Sequence, residues 1–439
     1  MAQQYTHIVL GLGATGLSVV RYLCAQGITP LVMDSRVQPP GADTLASEFP
    51  QVELIAGGFD CRYLVQAQQI VISPGIACET PEVRVAFDMG IEVIGDVELF
   101  AREVSKTDAK VIGITGSNGK TTVTTLVGEI AQASGCSYAV GGNIGVPALD
   151  LLLAPKDLYI LELSSFQLET THSLRCTVAT CLNISEDHMD RYSDLESYRQ
   201  AKLKLYDQTK MVLFNREDLL TVPNNPANQN SFGLDMPEVD AWGISSGMLV
   251  QGDSPIMAVS DVALVGSHNH ANVLAAMALT TAVGIKREFQ VQIAKTFNGL
   301  AHRCETVADI AGVIYINDSK ATNVGATVAA IDGLTDHLGE LILIAGGDSK
   351  GADLTSLEPV LAKVSQLITL GRDGDKIAAL KPDAIRVATM AEAVAAAHEV
   401  ATAGDIVILS PACASLDMYP NYMARGDEFR GLVEALDDN

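Results

Sequence analysis

Aromatic residues are scarce in this 439-residue chain, at 5% with a single tryptophan. Positive charge is also scarce: 29 Lys and Arg stand against 53 Asp and Glu, a formal charge of −24. That balance argues against a general affinity for nucleic acid or for an anionic membrane surface. It does not argue against phosphate ligands, because a small site can gather the few cations. None of the eight cysteines forms a CxxC pair, which excludes a zinc site or disulfide frame of that kind and fits reduced thiols in a cytoplasmic protein. No apolar run approaches a membrane span. The first apolar stretch breaks at Gly11 and no basic residue precedes it, so no signal peptide is expected. Low-complexity segments and sequence repeats are absent.

What the chain has is a regular alternation of apolar strands and helical patterns, the mark of parallel sheets covered by helices. Its length predicts two to four domains, and the alternation falls into three blocks. The most informative segment is Lys110–Gly135. A β-branched run (Val111, Ile112, Ile114) enters the turn Gly116-Ser117-Asn118-Gly119. Lys120, Thr121 and Thr122 follow, and a helix then carries Val123, Leu126, Val127 and Ile130 on one face. Such a turn lets backbone amides converge on phosphate oxygens. The helix start adds partial positive charge, the lysine a full one, and the hydroxyl can ligate Mg²⁺. Ile114 stands where a standard Walker A loop has glycine.

The first block opens on a strand at 7–10, then Gly11-x-Gly13-x-x-Gly16 and a helix, with Asp34 ending the next strand. That pattern fits three things: an NAD site with Asp34 on the ribose, a tight β–α turn, or a nucleoside diphosphate that belongs to a substrate. A strand at 69–72 runs into Ser73-Pro74-Gly75, and the block closes around 91–100. In the second block, one strand ends at Glu162, where phosphoryl-transfer proteins place a Mg²⁺-holding carboxylate. Another, read as apolar to Asn183, presents Glu186, Asp187, His188 and Asp190. His188 suits a metal ligand or a loop histidine. A helix with Tyr198, Lys202, Leu205 and Tyr206 follows, and 216–260 reads as loops and short strands. The third block has strands near 313–316, 341–345, 367–370 and 406–409, with a helix over 389–402. It places Asp318-Ser319-Lys320 and Gly346–Lys350 at strand C-termini, where open α/β sheets bind ligands.

Taken together, GITGSNGKTT (113–122), LELSSFQLE (161–169), NISEDHMDRY (183–192), YRQAKLKLY (198–206), HNHANVLAA (268–276), GLAHRCE (299–305), NDSKATN (317–323) and LSPACASLDMYPNYMARGDEF (409–429) resemble the Mur ligase family. The likeness runs from residue 7 to about 430. It implies an α/β protein of three domains: Rossmann-like, doubly wound units at 1–96 and 299–439, and a central P-loop-type ATPase unit at 97–298. It implies an ATP-dependent ligase of cytoplasmic peptidoglycan synthesis, joining D-glutamate to UDP-N-acetylmuramoyl-L-alanine through an acyl phosphate. No Asp-Asn-Pro-Arg segment occurs, which favours glutamate over diaminopimelate.

The same resemblance implies residue roles. Ala14, Thr15, Asp34, Ser35, Arg36, Ser73, Pro74, Gly75 and Asn143 would hold the UDP substrate. Gly116, Ser117, Asn118, Gly119, Lys120, Thr121, Thr122, Asn272, His302, Arg303 and Asp318 would hold ATP. Thr121 and Glu162 would hold one Mg²⁺, and His188 a second. Lys202 would join the metal site as a carbamate, so the catalytic set is Lys120, Glu162, His188 and Lys202. Lys320, Thr322, Lys350, Ser415 and Tyr422 would form the amino-acid site, with tyrosine at 422 where the family pattern leads one to expect phenylalanine. A monomer without nucleic-acid or membrane partners is expected. The rival readings are another ligase of the superfamily adding a different amino acid or extending folate, an NAD-dependent dehydrogenase, which would explain residues 1–100 and leave the phosphate loop idle, and a nucleotide-switch binding protein.

Overall fold

The computed structural model describes residues 5–224, 228–264, 266–334 and 339–437. Their strands form three sheets. The first contains β1 (His7–Leu10), β2 (Leu31–Asp34), β3 (Glu53–Ala56), β4 (Gln69–Ile72) and β5 (Glu92–Ile94), in the order β3-β2-β1-β4-β5 and all parallel.

The central sheet contains β6 (Lys110–Thr115), β7 (Tyr138–Gly142), β8 (Leu158–Glu162), β9 (Val178–Cys181), β10 (Val212–Asn215), β11 (Gln229–Phe232), β12 (Trp242–Ser245), β13 (Met248–Gln251) and β14 (Ser254–Ala258). Its order is β14-β13-β12-β11-β10-β9-β6-β8-β7, parallel except for the β12-β13-β14 meander. The third sheet contains β15 (Glu305–Ile310), β16 (Val313–Asn317), β17 (Leu341–Gly346), β18 (Gln366–Leu370), β19 (Ile385–Arg386) and β20 (Ile406–Leu409), in the order β15-β16-β20-β17-β18-β19.

Each sheet is covered on both faces, and the strands show why. In β17, Leu341, Leu343 and Ala345 enter one apolar cluster while Ile342 and Ile344 enter the opposite one. Period-2 alternation of two apolar sets makes a strand read as a continuous hydrophobic run. The first and central sheets share a cluster that runs from Val9 and Val32 through Phe100 to Tyr159 and Leu161. Phe100, on the bridging helix Asp96–Val104, meets Tyr159 edge-on at 5.2 Å. The clusters of the third sheet contain only its own residues, so that unit meets the others through polar groups. Among the described residues no helix is long and apolar enough to cross a membrane.

Three sequence expectations change in detail. The strand read to Asn183 ends at Cys181, which frees Leu182 onward to form the loop described below. Segment 216–260, expected as loops and short strands, does hold four short strands, and these extend the central sheet as β11–β14. In the third unit, the antiparallel strand β15 and the two-residue β19 escaped notice. β15 is only partly buried and lacks an apolar run.

Phe232 and Trp242 are paired neighbours on β11 and β12, and both are buried. Phe232→Ala is expected to cost about 3–5 kcal/mol through the cavity it leaves. The fluorescence of Trp242, the only tryptophan, would follow urea unfolding of this unit; an unshifted midpoint would refute the packing argument.

Candidate active site

The C-terminal ends of first-sheet strands share a cleft with Gly142 and Asn143 of the central unit, and Asn323, beyond β16, bonds Asn118 in the loop after β6. Gly116 and Gly119 both have positive φ there, 144° and 79°. Gly119 caps the helix Lys120–Ala133, and a Cβ on it would lie 2.7 Å from Asn272 Oδ1, so a side chain there would have to displace Asn272 and hold a strained φ. The loop is held by the segment after β9. Ser117 N–H donates to Asn183 O at 2.8 Å and Asn118 N–H to Asn183 Oδ1 at 2.8 Å. Asn183 Nδ2 returns a bond to Asn118 O at 3.1 Å. Lys120 Nζ donates to the carbonyls of Gly116 and Ser117, at 2.7 and 2.9 Å. The loop is thus a cradle braced by Asn183, with its lysine lying along its own backbone.

Glu162 closes β8 and is 1% exposed. Its Oε1 accepts from Asn143 Nδ2 at 2.8 Å, while its buried Oε2 has no partner among the described residues. A buried carboxylate oxygen without a partner costs free energy unless something cationic meets it. No group of three or more His, Cys, Asp or Glu suited to a metal occurs among the described residues. Mg²⁺ bound beside phosphate needs no such cage, because it takes one or two carboxylates and keeps waters and phosphate oxygens. Glu162, with its Oε2 unpartnered among the described residues, fits that demand.

His188 sits at positive φ, its ring edge-on to Phe166 at 4.7 Å. Burial pushes its pKa down to about 4, which keeps the imidazole neutral and able to ligate. Its neighbour Asp187 forms an ion pair with Lys350 across the interface to the third unit. Burial opposes ionisation of Asp187, yet Lys350 and His188 hold it down to about 2.

Lys202 is 2% exposed. It lies on the helix Leu195–Leu203, which starts from a capping box of Asp194 and Ser197. Its Nζ donates to Gly116 O at 2.9 Å and lies 4.5 Å from the centre of the Tyr198 ring. Burial, with Lys120 adding repulsion, pushes it down to about 7. Lys320 is also lowered to about 7, by burial and then by Arg303 and Lys120. Burial lowers Lys120 and Arg303 as well. In a chain this acidic, the gathering of cations that burden one another calls for an anionic ligand.

The first sheet supplies a cleft of about 500 Å³. All nine residues expected to hold the UDP moiety line it: Ala14, Thr15, Asp34, Ser35, Arg36, Ser73, Pro74, Gly75 and Asn143. Asp34 spends both carboxylate oxygens on Leu12 N–H and Arg36, at 2.6–2.8 Å. The bonds from Arg36 hold its pKa down to about 2. The carboxylate therefore orients a guanidinium at the cleft. An NAD site would instead need that acid for the ribose hydroxyls.

In the third unit, Asp318 accepts from Ser410 Oγ at 2.8 Å and Cys304 N–H at 3.1 Å, and burial raises it to about 6. His302 Nδ1 lies 3.0 Å from Asn317 Nδ2, and its ring is edge-on to Tyr422 at 6.1 Å. Lys320 Nζ stands 5.0 Å from the Tyr422 ring centre. Thr322 N–H bonds Lys320 O at 2.8 Å. Ser415 is buried in the turn after β20, where its carbonyl takes the N–H of Met418 and Tyr419. Asn272 is buried against the phosphate loop. Thr122 is buried at the start of the helix Lys120–Ala133.

Sequence reasoning passed over several residues that the geometry brings in. Asn183 braces the phosphate loop, and Tyr198 contacts Ser117 Oγ at 3.4 Å as well as Lys202. Gln167 lines the cleft. Arg191 reaches from beside Phe166, 4.0 Å from its ring centre, to the carbonyls of Pro74 and Ile76 in the first unit. A polar residue directly after an apolar strand, or four positions before Lys202 on one helix, was the available signal.

Comparison with known proteins gives matches along most of the chain. Residues 5–95 match the family model described as Mur ligase MurD-like, N-terminal domain. Residues 114–280 match the Mur ligase middle domain, and 302–413 the Mur ligase, glutamate ligase domain. The UDP-N-acetylmuramoylalanine–D-glutamate ligase of Shewanella oneidensis is 69% identical over 437 residues, with all of both chains covered. That of Shewanella violacea is 72% identical, covering 98% of this chain and 96% of its own. Among solved structures, a pseudomurein peptide ligase type C from Methanothermus fervidus shares the fold with a TM-score of 0.62 at 19% identity, over 98% of this chain and all of its own. A MurF ligase from Thermotoga maritima in complex with ADP also gives 0.62, at 14% identity, over 99% and 100%.

Proposed function

The chain belongs to the Mur ligase family, and on that premise we propose that it joins D-glutamate to UDP-N-acetylmuramoyl-L-alanine at the expense of ATP, in peptidoglycan synthesis. One observation of the geometry carries the reading. The Glu162–Asn143 bond ties the phosphate loop's neighbour to the cleft of the first unit, so a nucleotide-linked carboxylate and an ATP phosphate would meet there.

The residue assignments are our own reading. Residues 1–96 form the UDP-substrate unit, 97–298 the ATP unit and 299–439 the amino-acid unit. Arg36, the Gly13–Thr15 turn and Ser73–Gly75 bind the UDP moiety, and Asn143 orients the far end of the same substrate. The phosphate loop with Lys120 holds the triphosphate, and Asn272, His302, Arg303 and Asp318 position the rest of ATP. Lys320, Thr322, Lys350, Ser415 and Tyr422 receive D-glutamate. Lys350 exchanges Asp187 for a substrate carboxylate.

The chemistry follows from charge. A carboxylate is a poor acyl donor, and transfer of the γ-phosphoryl group to it releases ADP and leaves an acyl phosphate. The amine of D-glutamate then attacks that carbonyl, phosphate departs with the C–O bond electrons, and the amine loses a proton. Two anions must approach in the first step, so Lys120, Arg303 and Lys320 offset their repulsion. Thr121 and Glu162 would hold one Mg²⁺; His188 and a carbamylated Lys202 would hold a second. Bound Mg²⁺ supplies charge neutralisation and alignment of the phosphate oxygens. We take the protein to work in the cytoplasm as a monomer.

The test is ADP release with UDP-N-acetylmuramoyl-L-alanine against a panel of D- and L-amino acids. Release confined to D-glutamate is expected. Release with another amino acid, or with none, would overturn the assignment.

A further inference from the structure

The third unit shares no apolar cluster with the rest of the described chain, so its seat on the phosphate loop depends on polar contacts. One side chain dominates them. Asn323 caps the helix Val324–Gly333, its Oδ1 accepting from Ala326 N–H at 2.9 Å. The same oxygen accepts from Asn118 Nδ2 of the phosphate loop at 3.2 Å. Its Nδ2 donates to Asn118 Oδ1 at 3.0 Å and to Asp187 Oδ2 at 3.3 Å. An amide has two donor hydrogens and two acceptor lone pairs, and here all four are used on a residue 4% exposed. Two positions further on, a Cβ at Gly325 would come within 2.6 Å of Ser185 Oγ, so the helix start can approach this closely only with glycine there. Asp187, the third partner of Asn323, is also the residue paired with Lys350.

We propose that Asn323 is the positioning residue through which the state of the phosphate loop sets the amino-acid site. Its reciprocal pair with Asn118 reports where the loop stands. Its bond to Asp187 fixes the carboxylate that Lys350 must give up. A nucleotide that orders the loop thereby favours the seat of the third unit in which D-glutamate binds, a coupling that is reciprocal. The proposal rests on the functional reading above, and its test separates the two.

Asn323→Asp keeps an oxygen acceptor for the helix cap. It removes the donor to Asn118 and Asp187, and sets a carboxylate against a carboxylate. Asn323→Ser keeps the cap without adding charge. D-glutamate affinity would be measured by calorimetry on the full chain with UDP-N-acetylmuramoyl-L-alanine present, with and without a non-hydrolysable ATP analogue. In the unaltered protein the analogue is expected to tighten D-glutamate on the order of tenfold. In both variants that gain should fall to near unity, while the thermal unfolding temperature and the affinity for the analogue alone stay close to the parent's. Undiminished coupling in either variant would overturn the proposal, as would absence of coupling in the parent. Loss of stability with the coupling retained would reduce Asn323 to a helix cap. A parent chain that does not ligate D-glutamate at all would overturn the functional reading, and this inference with it.

Discussion

Lys120→Ala is expected to abolish ATP-dependent ligation, with turnover falling on the order of a thousandfold or more. The argument begins with charge. A phosphoryl group moving onto a carboxylate carries negative charge on both reactants, and the loop's own amides supply only partial positive charge. Lys120 is the one full cation at the start of the helix Lys120–Ala133, with Nζ within 2.9 Å of two loop carbonyls. Those carbonyl bonds are replaceable by phosphate oxygens, since a charged donor gains more from an anion than from a neutral acceptor. Alanine at 120 leaves the loop geometry to Asn183, whose three bonds do not involve the lysine. Unfolding temperature should therefore stay near that of the parent while phosphate release with both substrates present disappears. Turnover within tenfold of the parent would remove Lys120 from the chemistry and with it the ATP role of the loop.

The architecture was legible wherever a strand ran between apolar neighbours. β1, β8 and β20 end where the apolar runs end, at Leu10, Glu162 and Leu409. A buried parallel strand has to be apolar on both faces, and that is visible without partners. β15 and the meander of β12–β14 were harder because half-buried strands mix polar and apolar residues. The site was legible where it sits on motif loops, as with the nine residues that line the cleft of the first unit. Its cross-unit contacts were not. Asn118 and Asn323 are 205 positions apart, and nothing local in either segment says that the two amides meet. Asp34 shows a subtler limit. Its place at the end of β2 is visible in the sequence, but its carboxylate turns to Arg36 and Leu12 N–H, which only the fold could reveal.

Lys202→Ala should be as inactive as Lys120→Ala, yet partly recoverable with added short-chain carboxylic acids. The side chain is sealed between Gly116 O and the Tyr198 ring, with Glu162, Asp187 and Lys120 near enough to act on its charge. As an ammonium beside Lys120 it adds repulsion to an already cationic site, and its pKa of about 7 reflects burial first and that repulsion second. A substantial fraction is then neutral amine at pH 7–8, the form that adds CO₂. Addition of CO₂ to that amine forms an N–C bond and releases one proton, giving an anion; counted from the ammonium, two protons leave and a cation is replaced by an anion. That carbamate and His188, whose neutral imidazole can ligate, would hold a metal together. Truncation to alanine leaves a hole about the size of the lost side chain, and a small carboxylic acid entering it restores the anion without restoring the amine. Rescue should rise with acid concentration and should not occur with neutral amides of the same shape. Full activity of the alanine variant without added acid would eliminate the carbamate. Rescue by amides to the same extent would show that space-filling, not charge, is what Lys202 contributes.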